Sequence, residues 1–387
     1  MLTGQNGILT QAQKAKEATE KASAKEKVEL AVVGAMSQTR DGILNLENLK
    51  KELVKYNGET KNENFPIIVK IDESKFLVKN NGSVNYYKEM SEITGQETIN
   101  TSTKDGLGNY IVVPAGFKII NPTDNVTAGI VIEDVNHGAT AGSQFVWIPV
   151  GEVIKDSDGN KETIILSRYT FDVNGDETNQ ADNEIDRFLE LNVSNYGNIT
   201  AKENIESEES GFRKSAKDNN GYYIGRYEAR KKGDQLTEKA TDTVYNNITQ
   251  PDAAILSREM YNDSNFESDL VNSYAWDTAI YFLQKFDTRA NKDSLKPYSQ
   301  QTSLNDILEN EGTNSLEDTS KRDIICNVYD MASNCREWIT ETYNYTSYPC
   351  TGRGGECGFK SDYTSSRNYY STVGNSAGLS FRPIIYM

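Results

Sequence analysis

Few side chains of this 387-residue chain are suited to catalysis or to binding a transition metal. The chain has one histidine, His137, in the segment Asn136-His137-Gly138, and this composition is typical of a surface turn. A single histidine excludes zinc sites built from several imidazoles and makes any Ser-His-Asp chemistry depend on that residue. We therefore expect His137 to be a surface residue without a metal.

The four cysteines form a cluster late in the chain, at Cys326, Cys335, Cys350 and Cys357. An even, clustered set favours two disulfides in an oxidising compartment. Three pairings are open, and joining neighbours would give Cys326–Cys335 and Cys350–Cys357. Reduced structural thiols are the alternative.

Two acidic segments carry the oxygen donors that calcium prefers, and they lie at 156–160 and 172–177. Neither matches the twelve-residue EF-hand loop, which needs Gly at its sixth position and Glu at its twelfth. We expect solvated turns and no cofactor. Asp172, Asn174 and Asp176 remain a weak calcium candidate.

The segment 339–387 has the composition of an adaptable binding surface. It holds seven of the 22 tyrosines of the chain, seven serines and one lysine. Tyrosine offers a large rigid face at little entropic cost, while Ser and Asn supply adaptable hydrogen bonds. We expect the ligand-binding residues to be Thr342, Tyr343, Asn344, Tyr345, Ser347, Tyr348, Ser361, Tyr363, Ser365, Arg367, Asn368, Tyr369 and Tyr370.

Charge and hydrophobicity exclude other classes of protein. The chain has 41 Lys and Arg residues against 57 Asp and Glu residues, and its net charge of −16 disfavours binding to nucleic acid. No apolar run approaches the roughly 20 residues of a membrane span. The first residues also lack the basic start and apolar centre of a signal peptide.

Hydrophobic periodicity predicts an α+β protein. Helical spacing covers residues 8–56, where Gly42 breaks or kinks the helix. Period-two alternation then predicts antiparallel strands between residues 67 and 87, and a helix is predicted over 274–286. Trp147, Trp276 and Trp338 lie in apolar segments and are predicted core residues. The predicted divisions are a helix over 1–57, a sheet over 58–90, a linker over 91–111 and a larger domain over 112–387.

The first division contains the segment M-L-T-G-Q-N-G-I-L-T at 1–10, followed by Ala, Lys and Glu residues at 12–17. In these residues it resembles the helix of a clostridial type IV pilin or pseudopilin. In that family an apolar half-helix of about 20 residues precedes this point, and here it is missing. The resemblance implies a pilus or surface location on a Gram-positive bacterium and other pilin subunits as partners. Membrane contact would come only through the missing segment.

Six landmark segments follow one another in the larger division. They are F-V-W-I-P-V-G at 145–151, G-Y-Y-I-G-R-Y-E at 221–228, the helix from Ala275, N-V-Y-D-M-A-S-N-C-R-E-W at 327–338, R-G-G at 353–355 and G-L-S-F-R-P at 378–383. In these segments the division resembles the formylglycine-generating-enzyme-like branch of the C-type lectin fold. The oxidase of that branch binds copper through a C-x4-C pair before its final segment, and here no cysteine follows Cys357. The resemblance therefore implies the fold without the oxidase activity.

Segment 339–387 is also similar to the mutated region of variable proteins of diversity-generating retroelements, which end in a lectin-fold domain. This resemblance implies a non-catalytic adhesin or receptor with a diversified surface and a protein or glycan ligand on another cell. Two alternatives stay open. One is a formylglycine-generating-type oxidoreductase that uses Cys326 and Cys335 or Cys350 and Cys357, and the other is a purely structural minor pilin.

Overall fold

The computed structural model describes residues 3–175, 188–190, 211–287, 297–302, 323–343, 348–359 and 361–387. The chain divides into two compact units. The N-terminal unit comprises Met1–Glu92 and Asn100–Thr103, and the C-terminal unit comprises Ile93–Ile99 and Lys104–Met387.

The N-terminal unit combines helices with an antiparallel sheet, as predicted. The helix break is confirmed, since Gly42 lies between α1 and α2 with φ 69°, a conformation that glycine adopts without strain. The side chain of Asn45 then accepts a hydrogen bond from the amide of Asn48 and caps α2. The elements are α1 (Thr3–Ser37), α2 (Leu46–Val54), β1 (Glu59–Thr60), β2 (Ile67–Ile71), β3 (Ser74–Val78), β4 (Val84–Tyr87) and β5 (Thr101–Lys104).

One face of α1 forms the core of this unit, but only in its C-terminal half. Ala24 is the first buried residue of the face, and the described side chains before it are exposed. Strands β1 to β4 pair in antiparallel order, and β5 joins β4 in parallel. The shared hydrophobic cluster includes Val28, Ala31, Val32 and Ala35 of α1, Leu49 and Leu53 of α2, and Ile67, Val69, Ile71 and Phe76 of the sheet.

In its described residues, the C-terminal unit contains three α-helices and short strands. The predicted helix over 274–286 is confirmed as α5, whose first turn is capped by the side chain of Asn272. Segment 91–111, predicted as a linker, contains β5 and the start of β6. The helices are α3 (Gly211–Asn219), α4 (Gln250–Arg258) and α5 (Ser273–Lys285). The strands are β6 (Tyr110–Val113), β7 (Phe117–Ile119), β8 (Val131–Asp134), β9 (Gln144–Pro149), β10 (Gly151–Ile154), β11 (Lys161–Ile164), β12 (Phe188–Glu190), β13 (Gly221–Gly225), β14 (Arg230–Lys232), β15 (Gln235–Thr237), β16 (Thr243–Val244), β17 (Glu267–Leu270), β18 (Ile324–Ile325), β19 (Val328–Tyr329), β20 (Arg336–Tyr343), β21 (Cys350–Arg353), β22 (Arg367–Tyr370), β23 (Leu379–Phe381) and β24 (Pro383–Tyr386).

Two larger sheets organise these strands. One has the order β17-β24-β13-β9-β8-β7, and the other has the order β12-β20-β21-β22, with β23 parallel to β20. Trp147 in β9, Trp276 in α5 and Trp338 in β20 are fully buried, which confirms their prediction as core residues. The chain is a mixed α+β protein. Within the described ranges, no helix has the length and apolar character that crossing a bilayer requires.

Candidate functional site

The predicted ligand residues are distributed over β20, β21 and β22 and the segments between them. In this sheet Cys350 pairs with Thr342 on one side and with Tyr370 on the other. Thr342 and Tyr343 end β20. The predicted ligand residues Asn344, Tyr345 and Ser347 lie outside the described residues.

Tyr369 and Tyr370 are consecutive in β22 and therefore point to opposite faces of the sheet. The Tyr370 ring lies edge-on to Trp338, with 5.1 Å between the ring centroids. Its hydroxyl accepts a hydrogen bond of 2.8 Å from Arg336 Nη1. Tyr370, predicted as a ligand residue, thus has a packing role in the structure, whereas Tyr369 is 38% exposed on the other face.

Three of the predicted tyrosines present aromatic surface to solvent. Tyr348 is 52% exposed, Tyr363 is 36% exposed and Tyr369 is 38% exposed. Ser361 is also exposed. Sequence reasoning missed Phe359, which is among the exposed large hydrophobic residues of the same segment. We call Tyr348, Tyr363 and Tyr369 the tyrosine surface.

Arg367, predicted as a ligand residue, is instead part of a buried ion-pair network. Its Nη2 lies 2.8 Å from Asp277 Oδ2, and its Nε lies 3.2 Å from Glu341 Oε1. The guanidinium also lies over the ring of Tyr169, 4.3 Å from the centroid. Sequence spacing could not indicate this role, because the partners come from β20, α5 and the segment after β11.

Arg353 completes this network from the neighbouring strand. Its Nη2 lies 2.5 Å from Asp277 Oδ1, and both side chains are fully buried. Burial alone would raise the pKa of the Asp277 carboxyl, but the two guanidinium groups of Arg353 and Arg367 outweigh it and lower the pKa. Asp277 is therefore ionised, and it ties β21 and β22 to α5.

A second arginine, Arg336 at the start of β20, orders the segment that carries Phe359. The Arg336 guanidinium forms ion pairs with Glu356 and Asp362 and lies 5.2 Å from the centre of the Phe359 ring. Because it also bonds Tyr370, one side chain joins three points of segment 356–370. The loop before β22 is held by charge-assisted hydrogen bonds as well as by backbone turns.

Ser365 and Asn368 are half-buried, so the prediction that they offer an exposed rim to a ligand is only partly met. The Ser365 amide donates to Ser299 O at 3.1 Å, and its carbonyl accepts from Arg353 Nη2 at 3.2 Å. Asn368 lies opposite Gly352 in the ladder between β21 and β22. Both residues connect this segment to the scaffold.

The predicted cysteine pairs Cys326–Cys335 and Cys350–Cys357 are not formed, and all four residues are free thiols. Cys326 lies beyond β18 and donates to Thr127 O, with 3.4 Å from Sγ to O, whereas Cys335 directly precedes β20. Tertiary neighbours, rather than sequence neighbours, therefore surround each thiol. Burial raises the pKa of Cys335 and raises that of Cys350 to about 12.

His137 is partly buried, with 19% of its side chain exposed, so its prediction as a surface residue is met only in part. Its Nδ1 lies 2.9 Å from Asp134 Oδ1 and its Nε2 lies 3.5 Å from Asp263 Oδ2. The ring packs against Phe117 and Tyr261. The hydrogen bond to Asp134 raises the pKa of His137 despite burial, so the side chain fixes the loop after β8.

The weak calcium candidate has the geometry of a local turn in its described part. Asp172 and Asn174 are exposed, and Asp172 Oδ1 accepts a 2.9 Å hydrogen bond from the Asn174 amide. Asp176 lies outside the described residues. Among the residues that the structure does describe, no group of three or more His, Cys, Asp or Glu side chains is placed to hold a metal ion. Calcium binding stays a prediction.

Comparison with known proteins gives one structural likeness. No protein-family model and no curated protein sequence matches the chain. The fold is similar in part to the solved structure of Treponema denticola variable protein 1. The two are 12% identical with a TM-score of 0.27, and the match covers 43% of this chain and 85% of the other. Because both values are low, the geometry of the tyrosine surface, and not this likeness, is the basis for assigning a function.

Proposed function

We propose that this chain is an extracellular ligand-binding protein, an adhesin or receptor of a bacterial cell surface or pilus. Its C-terminal unit, with a C-type lectin fold of the formylglycine-generating-enzyme-like branch, would capture a protein or glycan on another cell. The observation that carries the proposal is the tyrosine surface itself. Tyr348, Tyr363 and Tyr369 are each at least 36% exposed, and they lie in or next to β21 and β22.

The buried and half-buried ion pairs around β22 and the loop before it support this role. Rigid aromatic anchors contribute strongly to binding when little ordering entropy is lost on contact. The Arg353–Asp277–Arg367 network and the Arg336 cluster fix β22 and the preceding loop before any ligand arrives. A fixed scaffold with adaptable Ser and Asn side chains around it suits a surface diversified in sequence, as in variable proteins.

The N-terminal unit supports attachment to a filament. Its helix α1 packs on an antiparallel sheet from Ala24 onward, while residues 15–23 are exposed. We assign this exposed part of α1 to contacts with other pilin subunits. Nucleic acid is not among the proposed partners, because the net charge is −16.

In this proposal the protein binds a ligand and catalyses no reaction. Burial raises the pKa of the Cys326 and Cys335 thiols, so both favour the protonated, weakly nucleophilic form at neutral pH. This environment disfavours the alternative of an oxidoreductase that depends on this pair. A purely structural subunit, the other alternative, would need no exposed tyrosines.

The test compares a triple variant, Tyr348→Ser, Tyr363→Ser and Tyr369→Ser, with the unchanged protein on a glycan array and on intact bacterial cells. The expected result is loss of capture, at least tenfold, with a nearly unchanged Tm. Ile120→Ser is the matched control, because Ile120 is 39% exposed in the same unit but lies outside β20–β22.

Two results would contradict the proposal. If the triple variant captures its targets as well as the unchanged protein, the tyrosine surface is not the binding site. If the unchanged protein captures neither glycans nor cells, the structural subunit becomes the better assignment.

A further inference from the structure

Cys335 and Cys357 are far apart in sequence but adjacent in the fold. Cys335 directly precedes β20, and its amide donates a 2.7 Å hydrogen bond to Glu228 Oε1. Cys357 follows β21, and its amide donates a 2.9 Å hydrogen bond to Asn334 O, the carbonyl bonded to the nitrogen of Cys335.

This single hydrogen bond limits the distance between the two cysteines. In a trans peptide the carbonyl oxygen lies about 2.8 Å from the next Cα, and a hydrogen bond of this length places it about 3.8 Å from the donor's Cα. The Cα atoms of Cys335 and Cys357 are therefore no more than about 6.6 Å apart. Natural disulfides span Cα separations of about 4.4–6.8 Å.

The other two cysteines lie in different surroundings. Cys326 Sγ is directed to Thr127 O and Phe286 O, at 3.4 and 3.5 Å. Cys350 is fully buried in the middle of its sheet, between the strand neighbours Thr342 and Tyr370. Neither position gives a backbone contact to another cysteine comparable to that between Asn334 and Cys357.

We infer that Cys335 and Cys357 form a redox-sensitive pair that a disulfide oxidant such as oxidised glutathione converts into one intramolecular disulfide. The Cys357 thiolate attacks one sulfur of oxidised glutathione, and one glutathione thiolate leaves. Cys335, after losing its proton to solvent, attacks Sγ of Cys357 and releases the second glutathione thiolate. Two protein thiols are oxidised, and one glutathione disulfide is reduced to two thiols.

Exposure sets the order of these steps. Cys357 is partly exposed, whereas Cys335 is buried, so the oxidant reaches Cys357 first. Burial raises the pKa of both thiols, which makes the reaction slow at neutral pH and faster as the pH rises.

The bond would close a loop that contains β20, β21 and the segment connecting them. That segment, 344–349, holds four of the predicted ligand residues. Closing the loop restricts the unfolded chain and so raises the stability of the hairpin. The cross-link is expected whether or not the tyrosine surface binds a ligand.

The experiment oxidises the folded, full-length protein with oxidised glutathione, alkylates it after denaturation and maps its peptides by mass spectrometry without reduction. The expected product is a Cys335–Cys357 linked peptide with Cys326 and Cys350 alkylated, together with a higher Tm than the reduced protein. Alkylation of all four cysteines after oxidation of the folded protein, or a linked peptide that contains Cys326 or Cys350, would overturn the inference.

Variants that replace one cysteine at a time test whether the cross-link depends on the proximity of Cys335 and Cys357 or on the general reactivity of the thiols. Cys335→Ser is expected to stop at a glutathione adduct on Cys357, because no resolving thiol remains. Cys357→Ser, at a partly exposed position, is expected to fold like the unchanged protein and to lose both the linked peptide and the Tm increase. Cys350→Ser is the control and is expected to retain the linked peptide. A Tm increase of the same size in oxidised Cys357→Ser would contradict the assignment.

Discussion

Arg353 Nη2 and Asp277 Oδ1 lie 2.5 Å apart in an ion pair whose two side chains are fully buried. The second oxygen of Asp277 accepts from Arg367. The Asp277 carboxylate of α5 thus pairs with the guanidinium groups of Arg353 in β21 and Arg367 in β22, which are adjacent strands. This arrangement holds in place the strand that carries Tyr369.

Replacing Asp277 with Asn is expected to destabilise the C-terminal unit by about 3–5 kcal/mol, because the buried Arg353 guanidinium loses its carboxylate partner and Arg367 keeps only Glu341. Urea denaturation of the two proteins measures the difference. Glu152→Gln is the control, since Glu152 forms an exposed pair with Lys161 at 2.7 Å and is expected to change stability by about 1 kcal/mol or less. Equal stability of Asp277→Asn and the unchanged protein would contradict the role of the network.

Glu228 is expected to make stability fall as the pH rises. Burial, with Asp330 and Glu337 nearby, raises the pKa of Glu228 from 4.5 to about 8. A raised carboxyl pKa means that the folded state holds a proton that the unfolded state has released. The stabilisation is complete below about pH 4.5 and is lost as the pH rises to about 8.

In Glu228→Gln, the slope of unfolding free energy against pH between 5 and 8 is expected to become shallower by about 1 kcal/mol per pH unit. Denaturation curves at each pH provide the measurement. The slope will not vanish, because burial also raises the pKa of Glu238 and Glu337. An unchanged slope would show that Glu228 does not hold this proton.

Tyr370→Ala and Tyr369→Ala are expected to have opposite consequences although the residues are consecutive. Tyr370→Ala removes the contact with Trp338 and the acceptor for Arg336, and is expected to lower stability by about 2 kcal/mol or more. Tyr369→Ala is expected to lower it by about 0.5 kcal/mol and to weaken ligand capture. Thermal melts and the cell-capture assay, applied to both variants, measure these effects. Equal losses of stability in the two variants would contradict the assignment of Tyr369 and Tyr370 to opposite faces of the sheet.

Helix α1 is expected to be stable only where it packs. Amides before Ala24 should exchange rapidly with deuterium, and amides from Ala24 onward should be protected. Val28→Ala, at a fully buried position, is expected to cost about 2 kcal/mol. Val33→Ala is the matched control in the same helix, because Val33 is 63% exposed. Uniform protection from Gln11 onward would contradict this prediction.

Local patterns predicted the elements well where side-chain periodicity and burial coincide. The strands predicted between residues 67 and 87 are present as β2, β3 and β4, and the helix prediction for 274–286 matches α5 within one residue at each end. Buried residues alternate along β2, so the period of the strand is visible in the sequence. The predicted helix over 8–56 did not show where its core contact begins, and the structure leaves residues 15–23 exposed.

Pairwise contacts between distant segments were not predicted. Arg367 and Tyr370 have the residue types of a binding surface, yet partners from α5 and β20 bury or engage them. His137 lies in a turn, as expected, but Asp263 reaches it from a loop more than a hundred residues away. The pairs of neighbouring cysteines, Cys326–Cys335 and Cys350–Cys357, are not formed.

The sequence by itself determined the α+β class, the helix break at Gly42, the buried tryptophans and the concentration of tyrosines in 339–387, because these depend on composition and short-range periodicity. Only the tertiary structure decided which tyrosines face solvent and which cysteines are adjacent. The physical reason is that strand pairing fixes the face of every residue. A shift of one position, as between Tyr369 and Tyr370, moves the side chain to the opposite face of the sheet, where Tyr370 packs against Trp338.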